Sequence, residues 1–478
     1  MSGPVAEDMS MFEELDRRSR LTGNQKRIVL AAVLGDMLEF FDYFLIGFVL
    51  AFVVGPWGLT FGQSAIILLS SGFGAIAGAY LWGWMADRIG RRPVFTLTIL
   101  NFSLATGLLA FTPDGGWVYL TVLRFVVGFG VGGLYCVDLP LVQEFMPSRK
   151  RGLIGGLVTV FIPVGVLLGS LFGAYLTPSI GWRGLFAAGV LPGLLVFLVR
   201  LWVPESPRWL ARQGRAEEAR RALAWALEVP PESLPLPRPE EVAETPTRWT
   251  DLFRYPRSLV VSWFGNLGAQ TGVYGVTLWA PTLFMLILHV PPAQASKLMI
   301  GLTLGGLVGR ISFALLSEGI GRRRAGGLLG FGAALMIALA GLYHDQMWFG
   351  YSALWLLLIA AFFFADGGFA VVGPYAAEVW PAHLRTSGMG SAYGFGGIGK
   401  VIGPLGLALV VGSDNVIKPE ATVENILPAF LYLAAWFVLA GAVYLLLGIE
   451  TKGRSIEAID RELHTPEPAP RPLPAAGE

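Results

Sequence analysis

Charge is what this sequence has least of. Only 14% of its 478 residues are Asp, Glu, Lys or Arg, against roughly a quarter in soluble globular proteins, which excludes a cytosolic enzyme with an ordinary solvated surface. A single cysteine, Cys136, rules out an intramolecular disulfide and any multi-cysteine metal centre. The four histidines, His289, His344, His383 and His464, are scattered without metal-ligand spacing. No cofactor motif is expected: Gly128-x-Gly130-xx-Gly133 has a phosphate-loop spacing but lies inside an apolar run with no preceding strand. With 35 Lys and Arg against 34 Asp and Glu, the chain also lacks a basic nucleic-acid footprint and an acidic tail. The first 27 residues are charged and have no apolar core, so the first span is expected to serve as an uncleaved anchor.

What is abundant is apolar surface: 54% hydrophobic residues, 62 glycines and a mean hydropathy of +0.60. Apolar windows fall at about 28–54, 64–86, 93–112, 118–143, 153–176, 184–203, 258–288, 298–317, 325–343, 348–377, 387–411 and 427–449. The expected fold class is an all-α polytopic membrane protein, with twelve transmembrane helices in two pseudo-symmetric six-helix bundles, 28–203 and 258–449. A cytoplasmic segment 1–27, a linker 204–257 with short helices and a Pro-rich tail 450–478 complete the expected division. Of the 35 Lys and Arg, 28 fall in segments on the N-terminal side of such a topology, and only Arg183, Lys297 and Lys418 in the opposite loops. The positive-inside rule then makes both termini cytoplasmic, in a plasma-membrane carrier.

The halves repeat one another. Asp87-Arg88-Ile89-Gly90-Arg91-Arg92 after span 2 returns as Glu318-Gly319-Ile320-Gly321-Arg322-Arg323 after span 8. Glu144-Phe145-Met146-Pro147 at the end of span 4 returns as Glu378-Val379-Trp380-Pro381 at the end of span 10. Gly83-xxx-Asp87-Arg88-x-Gly90-Arg91-Arg92 resembles the loop 2–3 signature of the major facilitator superfamily. Arg124-xxx-Gly128, Glu144 with Arg151, and Pro204-Glu205-Ser206-Pro207-Arg208 resemble its sugar-porter and metabolite-symporter branches. Leu38-Glu39-Phe40-Phe41-Asp42-Tyr43 and Leu278-Trp279-Ala280-Pro281 look more like the aromatic-acid and synaptic-vesicle-glycoprotein-like symporters, and Gln270 stands alone where sugar porters carry paired glutamines. The resemblance implies alternating access by rocking of two bundles about a central cavity lined mainly by spans 1, 4, 7 and 10. It also implies Asp87 and Glu144 as gate residues.

Ionisable residues inside spans are costly and mark function by default. Span 1 carries Asp36, Glu39 and Asp42 at i, i+3 and i+6. Helix rise places Asp42 and Arg124 at similar depths, so the two are expected to pair, either as a fixed structural bridge or as a proton carrier with Glu39 beside it. Lys400 in the glycine-rich span 11 needs an anionic partner: Asp366 of span 10, or a substrate carboxylate. Asn266, Gln270 and Tyr274 share one face of span 7 and serve either as cavity ligands or as interhelical glue. Tyr375 and Trp279 are candidates to stack on a ligand. Gly83, Asp87, Arg88, Gly90, Arg91, Arg92, Glu144 and Arg151, with Glu318, Arg322, Glu378 and Arg385 in the second half, form the expected cytoplasmic gate, with Asp138 and Arg310 near it.

No nucleotide, metal or nucleophile site is evident, so an ion gradient is the expected energy source and an enzyme is not expected. The preferred function is proton-coupled symport of a small organic solute, a carboxylate or aromatic acid, by a monomeric carrier whose partners are substrate, protons and the lipid bilayer. Proton-antiport efflux of drugs or metabolites, sugar:proton symport, and a non-transporting nutrient sensor are the alternatives.

Overall fold

The computed structural model describes residues 11–147, 160–200, 203–237, 249–381 and 384–452, with Lys150, Ile154 and Val158. Arg151 and the side chains of Asp87, Asp138 and Arg385 lie outside the described residues. Among the described residues the structure is all-α apart from one short hairpin, Met347–Trp348 with Tyr351–Ser352. Before the linker come α1 (Met11–Arg17), α2 (Gly23–Trp57), α3 (Phe61–Ile89), α4 (Arg91–Leu109), α5 (Trp117–Glu144), α6 (Ile162–Leu171) and α7 (Thr177–Arg200). The linker carries α8 (Pro207–Arg212) and α9 (Ala216–Leu227). Then follow α10 (Pro256–Ile287), α11 (Pro292–Ile320), α12 (Arg322–Leu342), α13 (Ala353–Ala365), α14 (Phe369–Glu378), α15 (Arg385–Gly397), α16 (Gly399–Val411), α17 (Pro419–Glu424) and α18 (Ile426–Ala442).

Among the described residues nine helices are long and apolar enough to cross a membrane. The 32-residue α10 is not one of them. It has the length, but Ser258, Ser262, Asn266, Gln270, Thr271 and Thr277 dilute its hydropathy, and all six are buried in the protein. A polar helix at membrane depth survives only where it is covered by its neighbours.

Small residues set the packing, as expected where lipid offers no hydrophobic drive for helices to associate. A Cβ on Gly74 or Gly78 of α3 would overlap the backbone of Phe125 or Phe129 in α5, and one on Gly128 or Gly132 of α5 would overlap Ser71 or Ala75 in α3. The window 348–377 is not one helix. The hairpin occupies its start, and α13 ends at Asp366-Gly367-Gly368, where Gly367 lies so close to Gly309 of α11 that no side chain fits. By contrast α15 and α16 meet at Ile398, which keeps helical torsions.

One end of the molecule gathers the basic loops. There α1 buries Met11, Phe12 and Leu15 against Trp209, Leu210, Ala219 and Leu223 of the linker helices. Thr22 and Gln25 form a reciprocal capping box at the start of α2, and Gln25 Nε2 also donates to Phe145 O at 2.8 Å. Asn24 Nδ2 donates to Trp225 O at 2.7 Å, so the linker is bolted to α2.

The opposite end joins the two halves of the chain. Phe61 N donates to Asn415 O, Gly62 N to Ser413 O and Ile417 N to Leu59 O, at 2.8–2.9 Å. Gly47 packs on the Leu278 backbone and Gly173 on Ser296. A Cβ on Gly72 of α3 would lie within 3.3 Å of Lys400 and Val401 of α16, yet one on Gly83, three turns nearer the basic end on the same face, would meet nothing within 4 Å among the described residues. Gly390, Gly394 and Gly397 on α15 have nothing there either. The halves are therefore held together at the end away from the basic loops and separate towards them.

Candidate functional site

The middle of α2 carries three buried carboxyl groups, Asp36, Glu39 and Asp42. Asp42 Oδ1 accepts from Thr106 Oγ1 of α4 at 2.7 Å. Arg124 of α5 is fully buried beside it, as the depth estimate from sequence expects, but it does not bond the carboxylate. Its Nη1 donates to the Asp42 carbonyl at 3.1 Å and its Nη2 to the Tyr43 carbonyl at 2.7 Å. Helix carbonyls keep a second lone pair after their i+4 bond, and the guanidinium uses two of them. Its charge lies next to Asp42 while its donors hold the main chain, and it also sits 5.8 Å from the centre of the Tyr43 ring.

Tyr43 and Phe44 reach across to the other half of the chain. Tyr274 of α10 packs edge-on against Tyr43 at 5.5 Å and stacks on Phe44 at 5.3 Å. Lys400 of α16 points into this cluster, its Nζ 5.5 Å from the Tyr43 ring centre and 5.1 Å from that of Tyr274, distances at which the ring faces attract a cation. The pairing of Lys400 with Asp366 expected from sequence is not formed. Asp366 is instead gripped by Arg310 of α11, with Nη2–Oδ1 at 2.9 Å and Nε–Oδ2 at 3.1 Å. A planar guanidinium matches a carboxylate with two parallel bonds and an ammonium does not.

Several buried polar atoms of this layer have no hydrogen-bond partner among the described residues: Glu39 Oε2, Asp42 Oδ2, Tyr43 OH, Asn266 Oδ1 and Gln270 Nε2. Buried polar groups are rarely left so, and together they present two carboxyl oxygens, a phenol, an amide acceptor and an amide donor. Asn266 and Gln270 press against Gly396 of α15, where a Cβ would collide with both. Two other candidates are elsewhere. Tyr375 lies towards the basic end, its OH donating to Ile449 O at 2.6 Å. Trp279 is fully buried near the closed end, its Nε1 donating to Pro404 O at 3.1 Å against the ring of Phe61.

The basic end holds two matched assemblies. In the first, Arg91 pairs with Glu144 at 3.3 Å, Ser206 Oγ donates to Glu144, and the Glu205 carboxylate caps α4 by accepting from Arg91 N and Arg92 N at 3.1 Å. In the second, Arg322 reaches Glu378 at 3.5 Å, Thr451 Oγ1 donates to Glu378 at 2.5 Å, and Glu450 caps α12 through Arg322 N at 2.9 Å. Gly90 and Gly321 have φ of +104° and +92°, and a Cβ on either would strike the capping carboxylate. Burial pushes the Glu205 carboxyl above the usual range, opposed by the N–H groups of Ser206, Arg92 and Arg91 and by the Arg91 guanidinium. Among the described residues Glu318 is bound by its neighbour Arg322, at 2.5 Å on an exposed face, and Arg88 lies over Trp84 at 4.0 Å.

Sequence reading singled out Arg91, Glu144, Arg322 and Glu378 but gave no role to Glu205 and Ser206 and missed Glu450 and Thr451. The signal was present: an acidic residue followed by a hydroxyl residue closes each half, 245 positions apart. Thr106 offered no such signal.

The family model described as sugar (and other) transporter matches residues 28–463. The chain belongs to that family. It is a multi-pass secondary transporter of a small organic solute with the major facilitator fold. It is 30% identical over 434 residues to the niacin transporter of Acinetobacter baylyi, covering 89% of this chain and 94% of that one. It is 24% identical over 436 residues to the cis,cis-muconate transport protein of the same organism, covering 91% and 95%. In fold it is similar to the partially occluded inward-open xylose transporter of E. coli, with a TM-score of 0.71 at 21% identity over 91% of this chain and 100% of that one.

Proposed function

We propose that this transporter is a proton-coupled symporter for small organic acids, with an aromatic monocarboxylate as cargo. The observation that carries the reading is Lys400, an ammonium held between Tyr43 and Tyr274 where the two halves of the chain meet. A cation at that depth calls for an anion, and the flanking rings suit a flat ring beside a carboxylate. Asn266 and Gln270 complete the substrate site with Tyr274. Asp42, with Glu39 and Arg124 beside it, carries the proton.

Around this site the chain forms two six-helix bundles, 28–203 and 258–449, in the plasma membrane, with both termini and the basic loops cytoplasmic. Arg91 with Glu144 and Arg322 with Glu378 act as cytoplasmic gates, together with Asp87, Arg151 and Arg385. The open end then faces the cytoplasm. The niacin and muconate relatives are named for carboxylate cargoes, which supports the assignment.

The test is uptake into proteoliposomes with an imposed pH gradient, screened over nicotinate, benzoate, aliphatic acids, sugars and cationic drugs. Accumulation of aromatic acids when the outside is acidic is expected, and Asp42→Asn should abolish that accumulation while sparing exchange. Efflux under the same gradient, or binding without flux, would overturn the proposal.

A further inference from the structure

At the end away from the basic loops, a short hairpin joins α12 to α13. Met347 pairs with Ser352 and Trp348 with Tyr351, so Phe349 and Gly350 form a two-residue turn. Both have positive φ, +54° and +82°, as a tight turn matched to the right-handed twist of a hairpin requires. Glycine adopts that conformation freely. A bulky residue is strained in it, and asparagine is the usual occupant of the first position. Phe349 bears this strain while 95% exposed, so its ring packs little against the rest of the chain. Met347 and Tyr351 are exposed beside it.

The neighbouring helices fix what surrounds this turn. The 21 residues of α12 rise ~31 Å at ~1.5 Å each, close to the ~30 Å of a hydrocarbon core. The next apolar span, Ala353–Ala376, starts directly after the hairpin. Residues 343–352 therefore lie where acyl chains give way to headgroups. Leu328, Phe331, Leu335 and Leu342 are exposed along one side of α12, a stripe that lipid covers and that runs up to the hairpin. Tyr343 with Trp348, at 5.4 Å, and Tyr351 with Trp355, at 5.7 Å, form ring pairs at the same level. Such aromatics mark a membrane–water interface. Trp355 Nε1 donates to Leu298 O of α11 at 2.9 Å, which ties the base of the hairpin to the second half of the chain.

We propose that this hairpin is a membrane anchor: Phe349 and Met347 insert among the acyl chains of the adjacent leaflet, with Trp348 and Tyr351 at headgroup level. The partner is the lipid surface, because the apolar stripe of α12 continues into the turn without a polar break wide enough to hold water against it. Insertion removes from water the apolar area that the fold leaves uncovered, and that gain offsets the strain at Phe349. Tied to α11 and α13, the anchor sets the depth of the second half in the bilayer.

The test places a fluorophore on Phe349→Cys in a Cys136→Ser background, in phosphatidylcholine nanodiscs. Asp114→Cys, on the turn between α4 and α5 at the same end and with a side chain 84% exposed, is the aqueous reference. Iodide should quench the label at 349 about threefold less than the label at 114, since an inserted side chain lies below the headgroups. Lipids spin-labelled near the top of the acyl chain should quench the label at 349 and spare that at 114. Equal iodide quenching at the two sites, with no quenching by lipid at 349, would overturn the proposal. Protection from iodide without quenching by lipid would overturn it as well, and would point to cover by a second copy or another protein. A second measurement uses the unaltered chain. A phosphatidylcholine carrying a diazirine close to its glycerol should, on illumination, label residues 347–351, mapped by mass spectrometry. Labelling of the α12 stripe that stops short of the hairpin would be the overturning result.

Discussion

At the scale of residues, the sequence located the intramembrane charges and the structure reassigned their partners. Arg310 and Asp366 were both visible as ionisable residues within or near spans, yet nothing in one dimension says that α11 turns Arg310 towards α13. That bidentate pair holds Asp366 against α11, while the Lys400 ammonium lies near the rings of Tyr43 and Tyr274. Capping by Glu205 supports a prediction of its own. Glu205→Ala leaves the first N–H groups of α4 without their acceptor and is expected to cost about 1–2 kcal/mol. Glu205→Gln keeps an acceptor oxygen, removes the cost of holding a charge in a partly buried site, and should change stability by under about 1 kcal/mol. Thermal unfolding of the purified protein in detergent, with activity measured alongside, distinguishes the two.

Helix boundaries were legible to within a few residues wherever a helix is apolar and uninterrupted. The window 64–86 became α3 (Phe61–Ile89), and 325–343 became α12 (Arg322–Leu342). The reading failed where a helix breaks for a tertiary reason, as at Gly367, whose closeness to Gly309 cannot be inferred from local hydropathy. Glycines that look alike in sequence also divide here. A methyl group on Gly128 would overlap the Ser71 backbone, whereas one on Gly83 meets nothing within 4 Å among the described residues. Gly128→Ala should therefore destabilise by about 1–3 kcal/mol through overpacking. Gly83→Ala should leave thermal stability within about 0.5 kcal/mol, as surface substitutions generally do. A Gly128→Ala protein that melts like wild type would refute the close packing of α3 and α5.

Across the whole molecule, the main feature is that the halves touch at one end. Thr60 and Val416 form an isolated antiparallel bridge between them, and paired positions of this kind bring Cα atoms into the range that a disulfide spans. In a Cys136→Ser background, Thr60→Cys with Val416→Cys should cross-link on mild oxidation, arrest transport and recover on reduction. Free transport in the fully cross-linked protein would show that this end need not open. Composition, apolar periodicity and the repeated loop motifs were enough to specify a polytopic helical transporter, because a bilayer constrains span length and charge placement strongly along one dimension. Which charges meet was decided only by tertiary structure, since a helix rotation of about 100° per residue and the approach of distant segments fix whether Lys400 faces Asp366 or a substrate.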